Sequence, residues 1–237
     1  MRVLEFKIFV PTVSKLLFAV RFMVLQRVKA VYWTILIFSG AMLPPTAFAS
    51  GMPVKATDHI FIASSGSRVE VNGTSTLHNW SARSAAITAR VVLAGKWNGA
   101  GKHALDLKSI ALTIPVNTLK SSEGGGMDRT MDGALHAGHH PSITYTLTKS
   151  ALLAGQADRT GDVDFQTRGI LSVNGVAKVL HLVIHVTRNP DASLTVNTAA
   201  KLKMTDFGVQ PPTAMLGIIR SGNTVGITAS VHLTAKK

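Results

Sequence analysis

The feature that most constrains the fold is an alternation of apolar and polar residues that recurs along the chain. It is clear in residues 110–116, 143–147, 180–186, 194–204 and 225–233. A period of two places successive side chains on opposite faces of a β-strand, so each segment predicts a strand with one buried face. Clean alternation of this kind is typical of antiparallel sheets.

Turn signals separate these segments. Asn174-Gly175 is the strongest hairpin signal in the chain, Gly95–Gly101 holds three glycines, and Asn189-Pro190-Asp191 marks a further turn. We count about eight strands that are joined mainly by short turns. Eight antiparallel strands suit a closed barrel that is wide enough for side chains or one small ligand. The predicted fold class is therefore all-β, an antiparallel barrel with one short helix inserted.

The helical segment follows the glycine-rich stretch Gly124–Gly126. Met127, Met131 and Leu135 recur at helical spacing, so they share one face. Gly133 lowers the helix propensity by about 1 kcal/mol, and the helix should therefore need tertiary support. A lone amphipathic helix among strands predicts that it covers an apolar opening in the barrel.

The N-terminal region has the three parts of a secretory signal peptide. An apolar run, Ala30–Leu43, follows Arg27 and Lys29 and precedes the small-x-small motif Ala47-Phe48-Ala49. The run is shorter than the ~20 apolar residues that a membrane span needs. We therefore expect export with cleavage after Ala49 rather than a membrane anchor.

Cleavage there divides the chain into a signal peptide, residues 1–49, and one domain, residues 50–237. A start at Met23 would give a signal of ordinary length and leave residues 1–22 upstream of the true start. The domain holds 19 Lys and Arg against 11 Asp and Glu, a net charge of +8. Because these charges are scattered, they do not predict nucleic-acid binding, although attraction to an anionic lipid surface stays open.

The chain has no cysteine. An exported domain without cysteines has no disulfides and must rely on its core. The absence also excludes a lipid-modified N-terminal cysteine, thiol catalysis and cysteine-ligated zinc. Neither the G-x-S-x-G elbow nor the H-E-x-x-H motif occurs.

The histidines form two groups. His136, His139 and His140 follow the predicted helix, and His181 and His185 lie four residues apart in a predicted strand. At about 3.3 Å per strand residue, His181 and His185 are too far apart to share one metal ion. We therefore expect no metal site and no catalytic residues.

Three stretches of the domain carry a family resemblance. They are Val69–Trp80 (VEVNGTSTLHNW), Ile114–Ile143 (IPVNTLKSSEGGGMDRTMDGALHAGHHPSI) and Lys203–Gly217 (KMTDFGVQPPTAMLG). Together they resemble the YceI-like family of exported bacterial lipid-binding proteins. The stretches lie in order and span most of the domain.

The resemblance implies a soluble, lipocalin-like barrel with a long internal channel. Family members hold polyisoprenoids, isoprenoid quinones or fatty amides there, others are linked to stress responses, and no enzyme activity is established. The expected function is therefore periplasmic binding, storage or transport of such an amphiphile. The chain departs from the family at Asn79, often Asp, and at His136, Gly138 and His139, where several members have Lys or Asp. These changes put the headgroup preference in doubt.

The candidate lining of the channel is a set of large apolar side chains from the helix, the strands and the loop after them. Burying hydrocarbon contributes roughly 0.8 kcal/mol per CH₂ group, and methionine adapts to irregular chains. The set is Ile114, Met127, Met131, Leu135, Tyr145, Phe165, Ile184, Met204, Phe207, Met215 and Leu216. Each could instead be an ordinary core residue, as we expect for Leu112 and Leu147.

Trp80 joins this set because an indole suits the polar end of an apolar site; its alternative role is to plug a corner of the barrel. The stiff loop Phe207–Leu216, with Pro211-Pro212 inside it, could line the entrance or pack under the barrel end.

No cofactor is expected beyond a bound polyprenyl lipid or quinone. The expected partners are an amphiphilic lipid, transiently a membrane surface, and a second copy in a homodimer. The rival interpretations are an enzyme acting on an apolar substrate inside the barrel and a structural envelope protein with a filled core.

Overall fold

The computed structural model describes residues 58–95, 105–153 and 162–236. The predicted signal peptide and the turns at Gly95–Gly101 and Gly155–Gly161 lie wholly or largely outside these ranges. The described strands are β1 (Asp58–Ala63), β2 (Arg68–Thr74), β3 (Asn79–Ser84), β4 (Thr88–Gly95), β5 (Leu105–Pro115), β6 (Lys120–Ser121), β7 (Ser142–Leu152), β8 (Asp162–Val173), β9 (Val176–Arg188), β10 (Leu194–Lys203), β11 (Thr213–Ala214), β12 (Ile219–Arg220) and β13 (Thr224–Ala235). The helices are α1 (Gly125–Ala134) and the 3₁₀ turns Val116–Thr118, Met204–Phe207 and Met215–Gly217.

Eight strands form a closed antiparallel ring. Their order is β1-β4-β5-β7-β8-β9-β10-β13, and β13 returns to β1 through the pairs Phe61–Ala235, Ile62–Thr234 and Ala63–Leu233. The predicted eight-stranded barrel with one helix is confirmed. Closure of the ring leaves these strands without a free edge.

The last strand, β13, has a third partner besides β10 and β1. Its segment Gly226–Ser230 pairs with β2, and β3 and β6 extend the sheet from β2. Helix α1 contacts β6 and the 3₁₀ turn at Val116–Thr118. The two ends of the barrel therefore differ: β1 closes one wall, and β2, β3, β6 and α1 surround the other.

Inward-facing side chains are the apolar ones that the alternation predicts. In β9, Ile184 and Val186 are buried, whereas Val179 and Val183 on the opposite face are exposed. The end that β1 closes is filled with buried side chains, among them Phe61, Leu93, Leu105, Val163, Phe165, Leu194 and Leu233. Packing is thus dense at this end of the barrel.

Helix α1 begins after Gly124, whose φ of 86° is in the region that favours glycine. Asp128 in its first turn accepts a hydrogen bond from the backbone N–H of Ser121 (2.7 Å), and its other oxygen lies 3.6 Å from Lys120 Nζ. A carboxylate here also suits the positive end of the helix dipole. Leu135, predicted as the third residue of the apolar face, is the C-terminal cap of the helix.

Within the described ranges, no helix has both the length and the apolar character to cross a membrane.

Candidate ligand-binding channel

Two apolar cavities follow one another inside the barrel. The inner compartment, of about 150 Å³, lies among β5, β7, β8, β9, β10 and β13. The outer compartment, of about 140 Å³, lies under α1. Six residues line both: Val71, Leu119, Ile143, Leu171, Leu202 and Ile227. The two compartments therefore form one channel that runs from the middle of the barrel towards the end that carries the helix.

Hydrocarbon side chains form nearly all of the inner compartment. Its two hydroxyl groups are both used: Tyr145 donates to Thr167 Oγ1 (3.4 Å), and Thr198 donates to the carbonyl of Val183 (2.9 Å). Burial raises the pKa of the Tyr145 phenol. The compartment presents a surface suited to a chain without polar groups.

The outer compartment has α1 on one side and the segment after β10 on the other. Met127 and Met131 project from the helix, and Met204 and Phe207 face them from the second 3₁₀ turn. The helix therefore lies over the apolar interior, as its amphipathic pattern predicts. Unbranched methionines leave this cover able to adapt to the shape of a ligand.

Two aromatic rings of the channel lie directly over strand glycines. A Cβ atom on Gly73 would meet Trp80 Cζ2 at 2.2 Å, and one on Gly169 would meet Tyr145 Cζ at 2.4 Å. Gly73 and Trp80 are paired across β2 and β3. The Trp80 indole N–H donates to the carbonyl of Thr74 (3.2 Å) and to Ser221 Oγ (3.1 Å). Both rings are therefore fixed against the barrel wall.

Nine of the twelve predicted site residues line the channel. Those in the inner compartment are Ile114, Tyr145 and Ile184, and those in the outer one are Trp80, Met127, Met131, Leu135, Met204 and Phe207. Phe165 does not line it, because its ring is packed in the filled end of the barrel. Met215 and Leu216 also lie outside the lining, because the turn that holds them points to solvent.

The channel has many lining residues that the sequence analysis did not select. Leu112, expected to be ordinary core, lines the inner compartment, whereas Leu147 lies in the core as expected. The unselected residues share the inward faces of the predicted strands, for example Leu180, Leu182, Val196, Ala200, Ala229 and Val231. Taking every inward position of each alternating segment would have found them.

The channel lining contains no Asp, Glu or His among the described residues, and its one charged residue is Lys203 at the outer end. A short histidine–carboxylate contact joins β9 to β8, with His185 Nδ1 2.6 Å from Asp164 Oδ1. Neither residue belongs to the channel lining. His136 binds Asn174 Oδ1 (2.8 Å) instead of facing the channel. Within the described ranges, no group of three or more potential ligands could hold a metal ion.

Two loops stand beside the outer end of the channel. Thr76 N–H donates to the carbonyl of Arg220 (3.0 Å), and Thr76 Oγ1 donates to that of Ile218 (3.2 Å), so residues 75–78 and 213–221 are joined. Met215 and Leu216 have φ values of 49° and 55°, a region uncommon for residues other than glycine. We call residues 75–78 and 213–221 the rim loops. Their large exposed side chains are Leu77, Met215, Leu216 and Ile218.

Two solved structures share this fold and confirm the predicted architecture. The chain is similar to BcnA of Burkholderia cenocepacia, with 18% identity over 71% of this chain and 96% of that chain and a TM-score of 0.54. It is also similar to a polyisoprenoid binding domain from Saccharophagus degradans implicated in plant cell wall breakdown, with 14% identity over 75% and 98% of the two chains and a TM-score of 0.55. A YCEI protein of Campylobacter jejuni is 18% identical over 63% and 81%, with a TM-score of 0.45.

No protein-family model matches the sequence, and a search of curated proteins gives no significant match. At these identities the structural likeness shows the fold. The fold that the resemblance implies is thus confirmed by the two structures with TM-scores above 0.5.

Proposed function

We propose that the chain is an exported member of the YceI-like family that binds a polyisoprenoid, an isoprenoid quinone or a similar long-chain amphiphile. It stores or carries this molecule in the bacterial periplasm. The observation that supports the proposal is the continuous channel, whose described lining is apolar apart from Lys203. The solved polyisoprenoid binding domain with the same fold adds support.

The driving force is the transfer of a hydrocarbon tail from water to an apolar surface. Each CH₂-sized group contributes roughly 0.8 kcal/mol, and the loss of free motion on association opposes this gain. Several isoprene units are therefore enough for useful affinity without a charged contact. We assign the tail to the two compartments, with Tyr145, Ile114 and Ile184 around its inner part and the helix methionines around its outer part.

Binding, rather than catalysis, is the function we assign to the channel. An enzyme acting on an apolar substrate would need a proton donor or acceptor beside that substrate. The described lining holds neither a carboxylate nor a histidine. Its two ionisable groups are the Tyr145 phenol, whose pKa is raised by burial and which donates to Thr167, and Lys203 at the outer end. Open space inside the barrel also favours a ligand over a purely structural, filled core.

Export follows from the predicted signal peptide of residues 1–49, which lies outside the described ranges. The lack of cysteine leaves the domain independent of disulfide formation there. Transient contact with a membrane is supported by the rim loops, which present four large apolar side chains and whose only Lys or Arg is Arg220. Whether two copies form a homodimer stays a prediction, which sedimentation equilibrium would test.

The test is native mass spectrometry of residues 50–237 purified from a bacterial periplasm, followed by solvent extraction. We expect a retained mass that solvent releases and that matches a prenyl chain, a quinone or a fatty amide. If the purified protein has no bound ligand, prenyl lipids are added and the mass measurement is repeated. Failure to take up any of them would overturn the proposal, and conversion of the added lipid would show an enzyme.

A further inference from the structure

A third cavity, of about 270 Å³, lies on the other side of the channel wall. Trp80, Met127 and Pro212 line both this cavity and the outer compartment. We call it the rim pocket; its remaining lining is Ser75, Leu77, His78, Glu123, Thr130, Thr213, Ile219 and Ser221. A molecule whose tail fills the channel therefore has, directly beside its outer end, a cavity that combines apolar side chains with polar groups.

The wall between the rim pocket and the outer compartment has a rigid part and an adaptable part. The Trp80 indole is held by two hydrogen bonds and by contact with Gly73. Met127 is half-buried, and its unbranched side chain has three rotatable bonds. The methionine side of this wall is therefore the side that can adapt to a ligand, and the indole side is fixed.

The polar groups of the rim pocket include more free acceptors than free donors. Three of its four side-chain hydroxyls donate within the protein: Ser75 to the carbonyl of His78 (2.9 Å), Thr130 to that of Gly126 (3.2 Å), and Ser221 to that of Thr74 (3.4 Å). The fourth hydroxyl, on Thr213, belongs to an exposed residue. The Glu123 carboxylate is half-exposed, and its ion pair is with His78, whose Nε2 lies 3.5 Å from Oε2. A carboxylate has about four acceptor sites, so Glu123 keeps capacity for a donor on a ligand.

Two cations that could attract an anionic headgroup, Lys120 and Arg220, are bound to other groups of the protein. Among the described residues, no Lys or Arg lines the rim pocket. Lys120 pairs with Asp128, and the Arg220 guanidinium donates to the carbonyl of Gly217 (2.7 Å). Asp128 also lies in the first turn of α1, where its charge suits the positive end of the helix. A diphosphate, which is an acceptor with multiple negative charges, would therefore meet the Glu123 carboxylate, and the only imidazole in the described lining of the pocket, that of His78, is already placed against this carboxylate.

We propose that the rim pocket holds the headgroup of the bound lipid and selects an uncharged or cationic hydrogen-bond donor, such as an alcohol, a primary amide or an amine, against a diphosphate. This inference rests on the proposed function, because the tail must occupy the channel. Glu123 is the residue that determines the selection. It accepts the donor hydrogen of the headgroup and repels phosphate oxygens.

The experiment compares three ligands that share one tail: geranylgeraniol, geranylgeranylamine and geranylgeranyl diphosphate. Affinity for residues 50–237 is measured by tryptophan fluorescence at constant salt. We expect the alcohol and the amine to bind at least about tenfold more tightly than the diphosphate. Glu123→Gln should reduce the preference for the amine, and Glu123→Lys should shift the order towards the diphosphate.

Asp106→Lys is the matched control, because Asp106 is an exposed carboxylate in β5 that lies outside every described cavity and pairs with Lys108. It makes the same change in net charge and should leave the order of the three ligands unchanged. Equal binding of all three ligands, tightest binding of the diphosphate, or an unchanged order in Glu123→Lys would overturn the headgroup assignment and leave the channel proposal intact. If no ligand binds, the proposed function itself fails.

Discussion

At the residue scale, the two aromatic–glycine contacts show how the channel wall is shaped. Trp80 over Gly73 and Tyr145 over Gly169 leave no room for a Cβ atom on either glycine. Glycine in a strand interior normally weakens the strand because it has no side chain to pack. Here the missing side chain provides the surface on which a ring rests, so the glycine has a packing role.

The substitution Gly73→Ala tests this packing. The new Cβ would displace the indole and disturb its hydrogen bonds to Thr74 and Ser221. We expect a loss of about 1–3 kcal/mol in the free energy of unfolding, measured by urea denaturation, and a changed Trp80 emission in a Trp97→Phe background. Gly133→Ala is the control, since nothing lies within 4 Å of its Cβ position. Equal stability of the two variants would contradict the role of Gly73.

Tyr145 provides a pH-dependent readout of the channel. Residues 50–237 contain no other tyrosine, so ultraviolet difference absorption of that domain reports this phenol alone. Because burial raises its pKa in the folded state, the phenolate should form above the usual pH of about 10. The stability that the neutral phenol contributes is complete below that pH and is lost as the pH rises through the folded-state pKa. A titration at the ordinary pH would show that Tyr145 is open to water, and Tyr145→Phe should show no titration.

At the scale of elements, the β8–β9 hairpin connects three parts of the channel end. Asn174 and Gly175 have φ values of 52° and 74°, as a two-residue hairpin turn requires. Asn174 Oδ1 accepts from His136 in the loop after α1, and its Nδ2 donates to the carbonyl of Phe207 (3.2 Å). One side chain thus connects the hairpin, the helix and the second 3₁₀ turn.

Asn174→Gly removes these side-chain contacts and keeps the turn, because glycine tolerates the same backbone conformation. Loss of two hydrogen bonds should reduce the free energy of unfolding by about 1–2 kcal/mol. Ala192→Gly is the control: Ala192 has a φ of 63° in another turn, and no side-chain bond is lost there. Thermal denaturation of both variants gives the comparison. A destabilisation as large in Ala192→Gly would show that backbone flexibility, and not the contacts of Asn174, is responsible.

Alternation predicted the elements whose inner face is apolar, and it did not clearly indicate β1 and β3. The sequence NWSARS of β3 has Trp80 and Ala82 as its only buried apolar residues, so it has little contrast between its faces. In β1, Ile62 is exposed on the outer face of the barrel. β1 takes its place by pairing with β13, which is remote in sequence, and β3 by pairing with β2, which directly precedes it.

The site was predictable to the extent that it depends on residue type. Helical spacing found the methionines of the outer compartment. Strand alternation could not distinguish Phe165 from Ile184, which are cross-strand partners. One packs in the filled end and the other lines open space, and this difference depends on the shape of the whole barrel. The turn Met215–Gly217 is also not readable from sequence, since its two non-glycine residues adopt positive φ values.

At the scale of the whole molecule, the two compartments make chain length a testable property. Ala229 lines the inner compartment and Ala134 lines the outer one. Ala229→Leu should shorten the longest prenyl chain that binds and spare shorter ones, whereas Ala134→Leu should weaken binding of every length. A series of prenyl alcohols, compared by competition binding, measures this difference. Ala199→Leu, on the exposed face of β10, is the control. The same effect from both inner and outer substitutions would show that the compartments do not act as one channel.

The rim loops lead to a prediction about membranes. Leu216 is fully exposed, and Leu77, Met215 and Ile218 are exposed beside it. We expect residues 50–237 to associate with vesicles that contain anionic lipid, and Leu216→Asp to reduce the bound fraction at least about tenfold, because a carboxylate is costly to bury in the lipid interface. Co-sedimentation measures the bound fraction. Val183→Asp, which changes an exposed residue of the barrel wall, should have no effect; an equal loss in both variants would exclude the rim loops as the contact.

The seam between β1 and β13 determines the order in which the protein can be assembled. Phe61–Ala63 and Leu233–Ala235 come from the two ends of the described chain, so their pairing has the greatest loop-closure cost in the ring. We expect this seam to form late in folding. Until it forms, the strands are an open sheet whose apolar face is exposed. Because no residue of β1 is among the described lining of the channel, a lipid that meets the newly exported chain can occupy that face before β1 covers the filled end. The order of closure therefore allows the protein to be loaded before it has finished folding.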